Sequence, residues 1–152
     1  MALKLGDKIP NFTSKDSLGD DFDSASVVGK KPVIFYFYPK DNTPGCTAQA
    51  CSFRDQYEDF KHLGAEVIGI SSDSVASHEK FTKQYHLPFK LLSDNDKKIR
   101  TLFGVKPNLF GLIPGRVTYV ADKEGIIRLV FDSLVATNHI PKALEMIKKL
   151  VS

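Results

Sequence analysis

The chain has 152 residues, 42% hydrophobic and 26% charged, with a formal net charge of +3. That length fits one domain spanning 1–152, able to bury a sizeable core without staples, and the balance excludes a disordered or low-complexity protein. The lysines are spread rather than clustered, which excludes a nucleic-acid surface, and no apolar run approaches the roughly 18 residues of a membrane span.

In chain order, residues 11–14 and Phe22, about a turn at Leu18-Gly19, predict an N-terminal β-hairpin laid over the fold. The apolar run VIFYFY at 33–38 predicts a buried strand. A helix follows, because Ala50, Phe53, Tyr57 and Phe60 recur at intervals of three and four, polar residues fill the other face, and Gly64 supplies a stop. Next come a strand at 66–71, a helix at 74–85, a short strand at 89–92 and a helical turn at 97–103. The chain ends with a strand at 117–121, the turn DKEG, a strand at 126–131 and a helix at 140–151. Asp73 and Asn138 are the candidate helix caps. Strands alternating with helices and closing on a hairpin mean an α/β fold with a mixed central sheet flanked by helices.

Both cysteines lie in PKDNTPGCTAQAC, between the buried strand and the helix. Stepping the apolar stripe back one turn places Cys46 in the first helical turn, where free N–H groups and the positive end of the helix dipole stabilise a thiolate. Cys51 lies on the same helix. Five residues of helix rise about 7.5 Å and leave the two Cα atoms roughly 8.7 Å apart, whereas a disulfide needs about 7 Å or less. The pair can bond only if at least a turn unwinds, which speaks against a permanent staple and for a transient bond. The spacing is not that of a Cys-x-x-Cys dithiol. A structural zinc site wants four ligands, and His62, His78, His86 and His139 are scattered singly, so no metal is expected. His78 and His86, on or after a polar helix, are expected at the surface.

PKDNTPGC matches the PxxxTxxC signature of the peroxiredoxins at Pro39, Thr43 and Cys46. With the second cysteine five residues on, GAEVIGISSDSVASHEKF and LFGLIPGRVTYVADKEG, nearly the whole chain resembles the peroxiredoxin Q subfamily, also called bacterioferritin comigratory protein. The resemblance implies a thioredoxin-like fold with an N-terminal hairpin extension, in agreement with the order of elements. It implies a thiol-dependent peroxidase acting on hydrogen peroxide and alkyl hydroperoxides, with no cofactor. Cys46 would attack peroxide and become a sulfenic acid, and Cys51, the one other thiol, would resolve it as an intramolecular disulfide in an atypical two-cysteine cycle. Thioredoxin or glutaredoxin would reduce that bond. Thr43 and the N–H groups of Gly45 and Cys46 would hold the O–O pair, Pro39 would shape and shield the loop, and Arg116 would stabilise the thiolate and orient peroxide. Phe110 and Leu112 would form an apolar rim for alkyl substrates. Gln49 stands where many relatives carry glutamate.

The absence of a C-terminal cysteine arm points to a monomer rather than a disulfide-linked dimer. The N-terminus MALKLGDKIP has no signal-peptide core, so a cytoplasmic protein is expected, or a plastid one if a transit peptide has been removed. Two other readings stay open: a thioredoxin-fold redox-sensing or metal-binding module, and a holdase-type chaperone.

Overall fold

The computed structural model describes residues 2–107 and 115–151. Strands β1 (Thr13–Asp16) and β2 (Asp21–Asp23) form a hairpin, followed by β3 (Val33–Phe37), helix α1 (Pro44–His62) and β4 (Glu66–Ser71). Then come α2 (Val75–Tyr85), β5 (Lys90–Ser93), α3 (Lys98–Phe103), β6 (Val117–Ala121), β7 (Ile127–Asp132) and α4 (His139–Val151). One mixed sheet runs in the order β2-β1-β5-β4-β3-β6-β7. It is parallel from β3 through β4 to β5 and antiparallel from β3 through β6 to β7. No described helix is long and apolar enough to cross a membrane.

Strand β3 lies inside the sheet between β4 and β6 and is buried along its length, as its unbroken apolar and aromatic sequence requires of a strand covered on both faces. Its alternation sorts side chains into two clusters. Ile34 and Tyr36, with Tyr38 just beyond, pack with Cys46, Ala50, Phe53 and Phe60 of α1 and with Ile140, Ala143 and Ile147 of α4. Val33, Phe35 and Phe37 pack on the other side with Phe12, Phe22, Ile99 and Phe103. Burying each such side chain contributes on the order of 1.5–3 kcal/mol, and this ties α1 to the sheet.

Three local expectations are corrected. The hairpin does not lie over the fold but extends the sheet: β1 pairs antiparallel with β5, Lys15 opposite Ser93 and Asp16 opposite Leu92, and so covers what would be an open edge. Ser74, not Asp73, caps α2, accepting from the Ser77 N–H at 3.1 Å. Asp73 accepts instead from the Asp41 N–H and the Ser71 hydroxyl, both at 2.7 Å. Asn138 closes a single 3-10 turn, Ala136–Asn138, and α4 follows it directly from His139.

Candidate active site

Helix α1 opens on Pro44, tolerated at a first helical position because the N–H it lacks would have no partner there. Thr43 is the N-cap residue in extended conformation but makes no side-chain cap, and its hydroxyl donates to the Lys40 carbonyl oxygen at 2.9 Å. The N–H groups at the start of the helix are left without a side-chain cap, and the positive end of the dipole falls at Cys46. With its proton committed to Lys40, the Thr43 oxygen can offer an incoming molecule only lone pairs. Pro39 is half-buried directly after Tyr38, and Gly45 is exposed.

Cys46 is 1% exposed, and Arg116 Nη2 donates to its Sγ at 3.2 Å. Arg116 is itself buried, and Nη1 donates to Gln49 Oε1 one turn along α1. That contact fixes the Gln49 amide with its oxygen toward the guanidinium and leaves Nε2 buried without a partner among the described residues. A guanidinium bonded to sulfur suits a thiolate, the stronger acceptor. Cys51, half-buried and free, lies further along the same unbroken helix.

Two glycines make this approach possible. A Cβ on Gly115 would sit 2.2 Å from the Lys106 carbonyl oxygen, so only glycine lets the chain pass there and deliver Arg116. A Cβ on Gly45 would crowd Arg116 Nη2 at 3.3 Å. Arg100, which the sequence did not single out, braces the same region. Buried in the middle of α3, it donates to the Gly115 carbonyl oxygen at 3.2 Å and to that of Tyr38 at 3.3 Å, joining the ends of β3 and β6. Burial lowers its pKa, and Asp94 works against that shift. Phe110 and Leu112 lie outside the described residues.

His139 is a second residue that sequence reasoning missed. Its Nε2 faces the Ser133 carbonyl oxygen at 2.8 Å and so carries the proton, while Nδ1 lies 2.7 Å from the Thr118 hydroxyl, which donates to it. The ring is a neutral imidazole. Burial pushes its pKa below the ordinary histidine value, the Ser133 carbonyl opposes the shift, and the Arg116 charge adds to it. The Ser133 N–H in turn donates to the Arg116 carbonyl oxygen, so this ring tethers the segment beside the guanidinium.

His78 is corrected from surface to core. It is fully buried, with Nδ1 2.6 Å from Asp41 Oδ2 and Nε2 2.9 Å from the Leu92 carbonyl oxygen. His86, by contrast, is exposed. Asp41, Asp73 and His78 place donor atoms within 4.8 Å of one another, the spacing of a metal cluster, but each is engaged in hydrogen bonds within the protein.

The comparisons with known proteins bear on this geometry. The model of the AhpC/TSA family matches residues 5–130. The chain belongs to that family, in its peroxiredoxin Q branch. It is 51% identical over 149 residues to the chloroplastic peroxiredoxin Q of Triticum aestivum, covering 97% of this chain and 68% of that one. Identity to the chloroplastic peroxiredoxin Q of Arabidopsis thaliana is 50% over 147 residues, covering 96% and 68%. Peroxidoxin BcpB of Mycobacterium tuberculosis superimposes with a TM-score of 0.90 at 33% identity over 99% of both chains. The bacterioferritin comigratory protein of Xanthomonas campestris does so at 0.84 and 28% identity, over 93% and 92%. Like its family, the chain is a thiol-dependent peroxidase with a thioredoxin-type fold, using a peroxide substrate and a thiol reductant.

Proposed function

We propose that residues 1–152 act as one atypical two-cysteine peroxidase domain in which Cys46 is peroxidatic and Cys51 resolving. The observation that carries this reading is the buried contact of Arg116 with Cys46 Sγ at 3.2 Å. The Cys46 thiolate attacks the nearer peroxide oxygen, the O–O bond breaks, and the other oxygen leaves as hydroxide or alkoxide, which takes from solvent the proton that the Cys46 thiol gave up and becomes water or an alcohol, while the sulfur is left as a sulfenic acid. Arg116 and the free N–H groups of Gly45 and Cys46 stabilise the charge moving onto the leaving oxygen, and Thr43 Oγ accepts a hydrogen bond from the peroxide O–H. Pro39 sets the loop and, lacking an N–H, adds no competing donor. Cys51 then attacks Cys46 Sγ, water departs, and a disulfide forms. An external dithiol, thioredoxin or glutaredoxin, supplies the two electrons that reopen it.

Hydrogen peroxide and alkyl hydroperoxides are the proposed substrates. The Xanthomonas campestris relative is described in terms of alkyl peroxide reduction, which supports the second class. Each step uses the cysteines of one chain, which supports a working monomer. For location, the cytoplasm remains the first expectation, and the chloroplastic wheat and Arabidopsis relatives support a plastid. The metal-binding alternative is not favoured, since the Asp41, Asp73 and His78 atoms are already bonded within the protein.

The test is peroxide-dependent NADPH consumption with thioredoxin and its reductase, together with peptide mapping of protein oxidised by one equivalent of peroxide. Wild type should turn over and yield an intramolecular Cys46 to Cys51 bond. Cys51→Ser should consume one equivalent and stop. A disulfide between two chains, with α1 still protected from hydrogen exchange, would overturn the intramolecular cycle and make the dimer the working unit.

A further inference from the structure

If Cys46 and Cys51 join, part of α1 must unwind, and the structure shows which side is free to move. Downstream, Ala50 and Phe53 are 1% and 0% exposed and hold the Cys51 turn to the sheet. Upstream, the chain is clamped at Asp41. Its Oδ1 accepts from the Tyr38 hydroxyl at 2.6 Å, and its Oδ2 from Ser77 Oγ at 2.8 Å and His78 Nδ1 at 2.6 Å. Its N–H donates to Asp73 Oδ2 at 2.7 Å. His78 extends the clamp to β5 through the Leu92 carbonyl oxygen. Burial first, and then the Asp41 charge, raise the Tyr38 pKa well above the ordinary phenol value and keep its donor proton in place. Asp41 thus joins, through its carboxylate, the end of β3, α2 and, by way of the imidazole, β5, and through its N–H the approach to α2.

The grip loosens at the next residue. Asn42 has φ +60°, in the left-handed region, and its amide makes contacts only at 3.4 Å. Thr43 gives α1 no side-chain cap, and Pro44 has no N–H to bond. A firmly held point therefore stands five residues before Cys46, with a loosely held segment between them.

We propose that Asp41 and His78 form a positioning pair, a pin that holds the loop ahead of Cys46 and marks where unwinding of α1 stops. This rests on the reading above that Cys51 resolves Cys46. The pin acts on the resolving step rather than on the attack on peroxide: it sets how often the loop opens, and so how the sulfenic acid divides between disulfide formation and over-oxidation to sulfinic acid. Weakening the pin lets the segment open more often and moves the division toward the disulfide.

The experiment measures the peroxide dose that converts half of Cys46 to sulfinic acid during turnover, by intact-protein mass spectrometry, in Ser77→Ala, His78→Ala and His78→Gln. The dose should rise about tenfold in His78→Ala and about twofold to threefold in Ser77→Ala, while the Gln amide, able to donate to Asp41, restores part of the wild-type value. Amide exchange of residues 41–47 in the reduced protein should speed up in the same order. Ser77→Ala removes one bond on a half-buried helix residue and keeps the proposal testable even if His78→Ala does not fold. A lower melting temperature with an unchanged dose and unchanged exchange at 41–47 would show that the pair only packs, and the pin would be wrong. Cys51→Ser is run alongside as the control for the underlying reading. Should it over-oxidise at the wild-type dose, the resolving role falls and takes the pin with it; should it over-oxidise at lower doses while the pin variants track wild type, the pin alone falls.

Discussion

The two faces of β3 are alike in composition and opposite in use. Toward α1 it presents Tyr36, and Tyr38 beyond its end, packed beside Cys46. Toward α3 it presents Phe35 and Phe37, packed against Phe12, Phe103 and Tyr119. The aromatic rings fill space on both sides, but β3 places hydroxyls only on the reactive face. There Tyr38 spends its hydroxyl on Asp41, while Tyr36 is stacked on Phe53 at 4.6 Å with its hydroxyl unpartnered among the described residues. A period of two residues thus separates a face that organises chemistry from one that supplies stability.

Removing the sulfur itself should have the largest effect. Cys46→Ser should abolish turnover, because a serine hydroxyl stays protonated at neutral pH, while its circular dichroism matches wild type. More than a few per cent of residual turnover in the coupled assay would contradict the assignment. Arg116→Ala should slow the second-order reaction with peroxide by about 10²- to 10³-fold, the usual cost of losing a donor at developing charge. Stopped-flow fluorescence at neutral pH reads this directly, and an unchanged rate would make the Arg116 contact incidental.

The opposite face should respond the opposite way. Phe103 is fully buried and sits 5.0 to 5.9 Å from four other aromatic rings. Phe103→Ala should cost about 3–5 kcal/mol in urea unfolding, with the peroxide rate of the folded fraction within about threefold of wild type. A rate falling as far as in Arg116→Ala would erase the division between the faces. Tyr38→Phe should cost less, about 1.5–3 kcal/mol, since one hydrogen bond to a charged group is lost while the ring remains.

The smallest effect expected is a pH slope. The folded pKa of His139 lies below its unfolded value, so the unfolded chain takes up the proton first as pH falls. Its contribution is complete above the unfolded value, near 6.5, and is lost as pH falls toward the folded one. Asp16 and Asp122 are also held below the ordinary carboxylate value, so their losses begin only below 3.8. Asp94, held above the ordinary carboxylate value by burial, works in the other direction, so the expected signature is the difference: as pH falls from 7 to 5, unfolding free energy should lose more in wild type than in His139→Gln. Equal slopes would mean that the His139 ring carries none of the acid sensitivity.

Much was legible in the chain because its signals are local. The strand at 33–38, the stripe Ala50, Phe53, Tyr57 and Phe60 and the placing of Cys46 at a helix start all rest on periodicities of two or three to four residues, which the backbone geometry enforces wherever the fold leads. The condition that a Cys46 to Cys51 bond would impose, a turn of α1 unwound, also comes from counting the residues between them. What the tertiary structure decided is which distant groups meet. Arg116 reaches Cys46 from 70 residues away because β6 lies beside β3 and Gly115 lets the chain pass Lys106. The hairpin joined the sheet because β5 left an edge to be paired. His78 looked like a surface residue among polar neighbours, and only the meeting of α2, β5 and the loop at Asp41 gave both ring nitrogens the partners that make its burial tolerable.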